Sequence, residues 1–255
     1  MLGYFAVTVS TFIASVLSFF SGFGLGTILM PVVAIFFPLP LAIALTAVIH
    51  LLHNLLKTTL LWKGIDWTVV AKFGVSALLA AIPGALLLKA LSSLTPINAY
   101  SFLGIKGEFS LLHICIGLLL IFFGTVEAFP YKAYRIKNLV LGGIISGFLG
   151  GLSGNQGALR SVFLINTHLD RRAFIGTNAM IAVAVDLVRL IVYSLSFHHL
   201  LMVSSLPLLG ISLISAAGGV FLGMTLLNKI TIKAIQKIIV ILLYLFGVLL
   251  ILGII

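Results

Sequence analysis

The feature that most constrains this chain is the length of its apolar runs. A helix that crosses the hydrocarbon core of a bilayer needs about 20 predominantly apolar residues. Residues 41–61, 68–88, 110–128, 173–196, 200–226 and 234–254 each approach that length with few charges. Two more apolar stretches, 2–37 and 138–166, are longer, and glycine-rich turns interrupt both: "SGFGLG" and "GGLSGNQG". Runs this long and uniform exclude a transmembrane β-barrel, whose strands alternate over about 10 residues. Charged residues make up 8% of the chain and hydrophobic ones 62%, whereas a soluble domain carries about 25% charged residues. The fold class that follows is an all-α polytopic membrane protein, with the lipid bilayer as its obligatory partner.

The net charge of +10 does not indicate a nucleic-acid partner. The Lys and Arg residues are scattered at helix ends and leave no basic face to lay along a duplex. Cations at helix ends report orientation instead. The single cysteine, Cys115, supplies neither a disulfide framework nor a thiolate metal site. The first twenty residues contain no Lys or Arg and no small-residue cleavage site, so they read as part of the fold and not as a removed leader.

Loop charges decide the topology. "WKGIDW" (62–67), "YKAYRIK" (131–137), "THLDRR" (167–172) and "NKITIK" (228–233) are basic, while "FPLP" (37–40) and "SFHH" (196–199) carry no Lys or Arg. If each glycine-broken stretch crossed the membrane once, the basic loops would be divided between the two sides, against the positive-inside bias. If each is a hairpin that enters and leaves by one face, all four basic loops lie in the cytoplasm. The second arrangement predicts a first repeat over 1–129 and a second over 138–255, joined by a basic cytoplasmic linker at 130–137. Each repeat is a re-entrant hairpin plus three spans. Because that number is odd, the repeats are inverted and both termini lie outside.

The motifs in the broken stretches resemble a known family. "SGFGLGTILMP" followed by "LAIALTA", and "ISGFLGGLSGNQGALRSVFLI" followed by "RRAFIGTNA", are similar to the paired motifs of the TauE/SafE family of sulfite exporters and related anion permeases. "FIGTNA" (174–179) matches the small-Gly-Thr-small element of that family, while "IALTAV" (43–48) keeps only the Thr. The first glycine run reads Gly24-Leu25-Gly26 where the family has three glycines, and the second places Asn155 and Gln156 at two of those positions. The resemblance implies transport of sulfite, organosulfonates or related sulfur-containing or organic anions across the bacterial inner membrane, with no enzymatic activity and no cofactor.

The residues point to an anion on physical grounds as well. Non-helical backbone survives at membrane depth only where protein buries it or it lines a cavity, and glycine permits the turns such a break requires. The short helices that follow each break then direct free N–H groups and a positive dipole end into the protein. Two such ends brought together by an inverted repeat would form a transporter-like binding site. Candidate substrate-binding residues are Gly22, Gly24, Gly26, Thr27 and Thr46 in the first half. In the second half they are Gly154, Asn155, Gln156, Gly157, Arg160, Thr177 and Asn178. Arg160 sits one turn into its short helix and offers a fixed charge with geometry suited to oxyanions. The competing reading of the glycines is close helix packing, which suits Gly142-Gly143 and Gly218-Gly219.

Other polar groups interrupt the spans. Asp186 and Arg189 share a helix face, and His50, His53, Asn54 and Lys57 form one polar stripe. Intramembrane charges are costly and usually functional, so these six are candidates for a coupling element or cavity wall, with protons as a candidate coupling ion. The histidines lack a third ligand, so no metal site is expected. An ion channel using the glycine breaks as a filter is the alternative function. Against it, Gly-Phe-Gly occurs once, with no second filter and no carboxylate ring.

Overall fold

The computed structural model describes residues 2–21, 25–95, 98–102, 105–129, 138–202, 206–226 and 232–255. The expected cytoplasmic linker at 130–137 lies outside the described residues. The first half contains α1 (Leu2–Ser21), α2 (Gly26–Ala34), α3 (Leu39–Leu61), α4 (Trp67–Val69), α5 (Val75–Ser92) and α6 (Leu111–Ala128). A π turn at Val70–Gly74 makes α4 and α5 one continuous helix. The second half contains α7 (Leu139–Ser153), α8 (Gly157–Leu164), α9 (Arg171–Met202), α10 (Leu206–Leu226) and α11 (Ile232–Ile251). Among the described residues, five helices are long and apolar enough to cross a membrane: 39–64, 67–92, 111–128, 171–195 and 207–226. Their outward faces are apolar, with Leu195 79% and Ile214 77% exposed, which is the surface lipid requires.

Local chemistry sets the boundaries. Asp66, Ser110 and Asn138 accept hydrogen bonds from the backbone N–H groups of Val69, His113 and Leu141, capping α4, α6 and α7. Asp170 does the same for Ala173 in the first turn of α9. Gly154, at φ 78°, ends α7 in the left-handed region, where a residue with a Cβ is strained.

Two expectations shift. The neutral stretch 196–199 lies within α9, which continues to Met202. Nothing from Ser196 to Met202 is Gly or Pro, so no residue there stops the helix. The connection 89–109 contains an antiparallel hairpin, β1 (Asn98–Phe102) and β2 (Ile105–Phe109), with Tyr100 opposite Gly107. Apolar patterning at helical period carries no signal for it.

Helix directions follow from specific contacts. Thr8 and Ser15 of α1 meet Ser215 and Ala216 of α10, and Phe19 packs on Gly223, so these helices run parallel. On α7, Gly143 lies on Phe73 and Ser76, Gly147 on Ala77 and Gly151 on Ala81, so α7 runs parallel to α5. By contrast α3 and α9 are antiparallel: Gly64 lies on Ala173, and His50 meets Asp186. The pair α6 and α11 is also antiparallel, with Gly117 on Ile251 and Gly124 on Leu243. The α1–α10 and α7–α5 pairs exchange when the halves are exchanged, and α3–α9 and α6–α11 map onto themselves.

These seams are built from small residues, as helix contacts in lipid require. A Cβ on Gly143, Gly147 or Gly151 would overlap backbone atoms of Phe73, Ala77 and Ala81. The same is true of Gly219 against α1 and of Gly117 against α11. Replacing Gly147 by Leu therefore has to separate α7 from α5. We expect Gly147→Leu to lower stability by at least the 1–3 kcal/mol typical of overpacking, read as a fall in melting temperature in detergent. Gly210→Leu, where a Cβ meets nothing within 4 Å, should leave the melt unchanged.

Candidate functional site

Each glycine break is followed by a short helix, α2 of 9 residues and α8 of 8, and neither N-terminus carries a side-chain cap. Each short helix returns towards the start of the helix before it: Gly3 lies on the Phe36 ring just beyond α2, and Gly142 lies on the Phe163 ring of α8. The two breaks also meet each other. A Cβ on Gly26 would stand 3.4 Å from the Gly154 carbonyl oxygen, 3.6 Å from Thr46 Cγ2 and 3.9 Å from His50 Cδ2. Gly22 and Gly24 lie outside the described residues.

Around this junction the interior is polar. On α3, His50, His53, Asn54 and Lys57 are all buried. Lys57 Nζ donates to the Ser18 carbonyl oxygen at 3.1 Å and to its hydroxyl at 3.3 Å, and lies 5.4 Å from the centroid of the Phe19 ring. Ser18 Oγ is in turn 3.4 Å from His53 Nε2. Asn54 Nδ2 donates to the His50 carbonyl at 2.9 Å and lies 3.2 Å from His50 Nε2. On α8, Arg160 is 2% exposed, and its Nε donates to Asn178 Oδ1 of α9.

A second group lies further along α9. Asp186 Oδ2 is 2.6 Å from His50 Nδ1, and its Oδ1 is 2.9 Å from Arg189 Nε. The Arg189 guanidinium lies against Gly154, where a Cβ would collide with it. The Tyr193 hydroxyl donates to the Gly151 carbonyl, fixing the last turn of α7 to α9.

The charges do not balance. Among the described residues of this interior, Lys57, Arg160 and Arg189 face one carboxylate, Asp186, and only Arg189 and His50 pair with it. A cavity of about 10 Å³, room for about one water molecule, lies between Ser18, Asn54, Lys57, Arg160 and Asn178. Several buried polar atoms have no hydrogen-bond partner: Arg160 Nη1, Arg189 Nη2, Thr46 Oγ1, Ser161 Oγ and both side-chain polar atoms of Asn155 and of Gln156. Native interiors satisfy nearly all such groups, so this concentration makes the interior the candidate site.

The structure brings most of the candidates from the sequence together: Gly26, Thr46, His50, Gly154, Asn155, Arg160, Asn178, Asp186 and Arg189. Gln156 packs on Gly150 at the same tip. Gly157 begins α8, and Thr27 is buried in the first turn of α2. Thr177 stands apart, since its hydroxyl accepts the Asp66 backbone N–H at 2.9 Å and so anchors the turn between α3 and α4. Ser18 and Tyr193 were not singled out from the sequence. A signal for Ser18 exists: Thr11, Ser15 and Ser18 follow i, i+4, i+7 spacing, and all three are fully buried.

Gly154 is where backbone geometry and charge coincide. Gly154→Ala should cost about 1–2 kcal/mol for a side chain in the left-handed region and displace Arg189 as well. A lower melting temperature is the expected outcome, larger than that of Gly210→Ala.

Comparison with known proteins identifies the family. The family model described as sulfite exporter TauE/SafE matches residues 7–250. No curated protein and no solved structure matches the chain. With apolar helices long enough to span a membrane and a family match over nearly the whole length, this multi-pass membrane protein belongs to the TauE/SafE sulfite exporter family.

Proposed function

We infer that the protein carries a small oxyanion, such as sulfite, an organosulfonate or a related sulfur-containing or organic anion, across the bacterial cytoplasmic membrane. The observation that carries this reading is the pair of buried cations, Lys57 and Arg160, that share a cavity and pair with no carboxylate among the described residues. Two like charges held in a low-dielectric interior repel strongly unless a counter-charge joins them. A fixed carboxylate would neutralise the pair permanently; an exchangeable anion neutralises it only while bound. Arg160 Nη1 and Lys57 Nζ supply the charge, and Asn54, Asn178 and Ser18 supply neutral hydrogen bonds. The N-terminus of α8 adds its partial positive charge.

The inverted repeat belongs to the same reading. Parallel α1–α10 and α7–α5 pairs, together with antiparallel α3–α9 and α6–α11 pairs, support two halves of opposite orientation. Had the broken stretches crossed the membrane singly, α3 and α9 would run in the same direction. The contacts of Gly3 with Phe36 and of Gly142 with Phe163 support a hairpin that returns to the face it entered. On this topology the linker 130–137 is cytoplasmic and the termini lie outside. On this reading the substrate sits between the two broken helices, in the Lys57–Arg160 cavity beside α8, and alternating access comes from one repeat rocking against the other. The cavity lies on the side of the basic loops, near the ends of α3 and α9 that carry Lys63, Arg171 and Arg172. That side attracts an anion from the cytoplasm.

Flux in proteoliposomes tests the function. Sulfite, sulfate, thiosulfate, small sulfonates and carboxylates form the panel, with saturation against concentration separating a carrier from a channel. A charged hydrogen bond contributes about 1.5–3 kcal/mol, so Arg160→Gln and Lys57→Met should each lower kcat/KM roughly 10- to 100-fold. Unchanged flux in Arg160→Gln would remove Arg160 from the site, and absence of flux for every anion would overturn transport. Topology is read separately. On a Cys115→Ser background, an impermeant thiol reagent added outside should modify a cysteine at position 198 and spare one at 133. Broken stretches that cross singly would put both positions on one side.

A further inference from the structure

The unpaired polar atoms do not all belong to the cavity between Lys57 and Arg160. Thr46 Oγ1, both side-chain atoms of Asn155 and Arg189 Nη2 lack partners, and all three residues are at least 96% buried. They converge on the junction of the two breaks. Thr46 stands against Gly26, Gly26 faces the Gly154 carbonyl, and a Cβ on Gly154 would lie 3.5 Å from Arg189 Nη2. Asn155 is the next residue in the chain. Thr46 precedes Asn54, which lines the cavity, by 8 positions on α3, and Arg189 follows Ala179, which also lines it, by 10 on α9. At 1.5 Å rise per residue, these two helices carry Thr46 and Arg189 about 12–15 Å beyond the cavity, away from the basic loops, while Asn155 bridges the two regions, five positions before Arg160.

Resting on the transport reading above, we propose that Thr46, Asn155 and Arg189 form a second anion-binding station, occupied in sequence with the Lys57–Arg160 cavity. The chemistry differs between the two. The first has two cations without a carboxylate. The second has one cation, Arg189, already engaged at Nε by Asp186, and it presents Nη2, a hydroxyl and a carboxamide to the ligand. A small oxyanion is therefore held mainly by hydrogen bonds at the second station and by charge at the first. The second station binds more weakly and accepts the anion as it leaves the first. Asp186 sets this difference, because it neutralises Arg189 while leaving one edge of its guanidinium free. Gly154 lets the guanidinium reach the junction, because a Cβ there would collide with Arg189 Nη1.

Equilibrium binding to purified protein in detergent, with radiolabelled sulfite under nitrogen and with radiolabelled sulfate, tests the second station. Wild type should bind two anions per chain, one at least tenfold more weakly than the other. Thr46→Val with Asn155→Leu removes the neutral donors at near-constant volume and should abolish the weaker site alone. Arg160→Gln should abolish the tighter site alone. Melting temperatures within a few degrees of wild type confirm that either loss is local. A single wild-type site lost in Arg160→Gln would overturn the second station and leave the transport reading standing. Two sites persisting in the Thr46→Val, Asn155→Leu protein would overturn the assignment of these residues. No binding of either anion to wild type would count against both readings.

Discussion

Breaking a helix inside a bilayer exposes backbone N–H and C=O groups that lipid cannot satisfy, and the fold is arranged around burying two such breaks. Neither break could face the membrane. The described residues at the two breaks, 25–27 and 153–157, are buried, and the helices that precede them approach their neighbours on glycine seams: α7 on α5 through Gly143, Gly147 and Gly151, and α1 on α10 through Gly219 and Gly223. The seams work because a missing Cβ lets two backbones touch, which is the packing available where no hydrophobic effect drives helices together. With the breaks enclosed, their short helices end face to face, and the polar interior forms between them.

That interior is expensive. Lys57, Arg160 and Arg189 are each at least 96% buried, and charges in such surroundings are tolerated only when paired or hydrogen-bonded. The protein pairs one and leaves two. Asp186 holds Arg189 and His50. Lys57 relies on the carbonyl and hydroxyl of Ser18, and Arg160 on Asn178. On the transport reading an anion completes this set, because an interior short of negative charge favours anions over neutral solutes. On that reading neutral partners also keep binding reversible, since among the described residues no carboxylate pairs with Lys57 or Arg160.

The two halves divide the labour unevenly. The first supplies the stripe His50, His53, Asn54 and Lys57 on α3, and its break is glycine and aliphatic. The second supplies Asn155, Gln156 and Arg160 at its break, with Asn178, Asp186 and Arg189 on α9. The asymmetry visible in the sequence thus becomes complementary in space, because antiparallel α3 and α9 set the long-helix polar groups of one half against those of the other. The tips are close enough that the carbonyl of Gly154 lies beside Gly26.

The membrane class, the long apolar helices and the buried polar candidates were legible in the sequence. They depend on local properties: apolar run length, glycine, and the cost of a charge in an apolar run. Where no local signal existed, the reading slipped. The continuation of α9 through 196–199 needed the absence of a breaker to outweigh polar residues. The β hairpin within 89–109 has no apolar pattern to betray it, and the bond from the Asp66 backbone to the Thr177 hydroxyl joins residues 111 positions apart. Partnership is what only the tertiary structure decided. Whether a buried Arg or Lys has a carboxylate depends on residues far apart in the chain, such as His50 and Asp186, 136 positions apart. The sequence therefore determined which groups enter the membrane, and the packing of the helices determined which of those groups are paired.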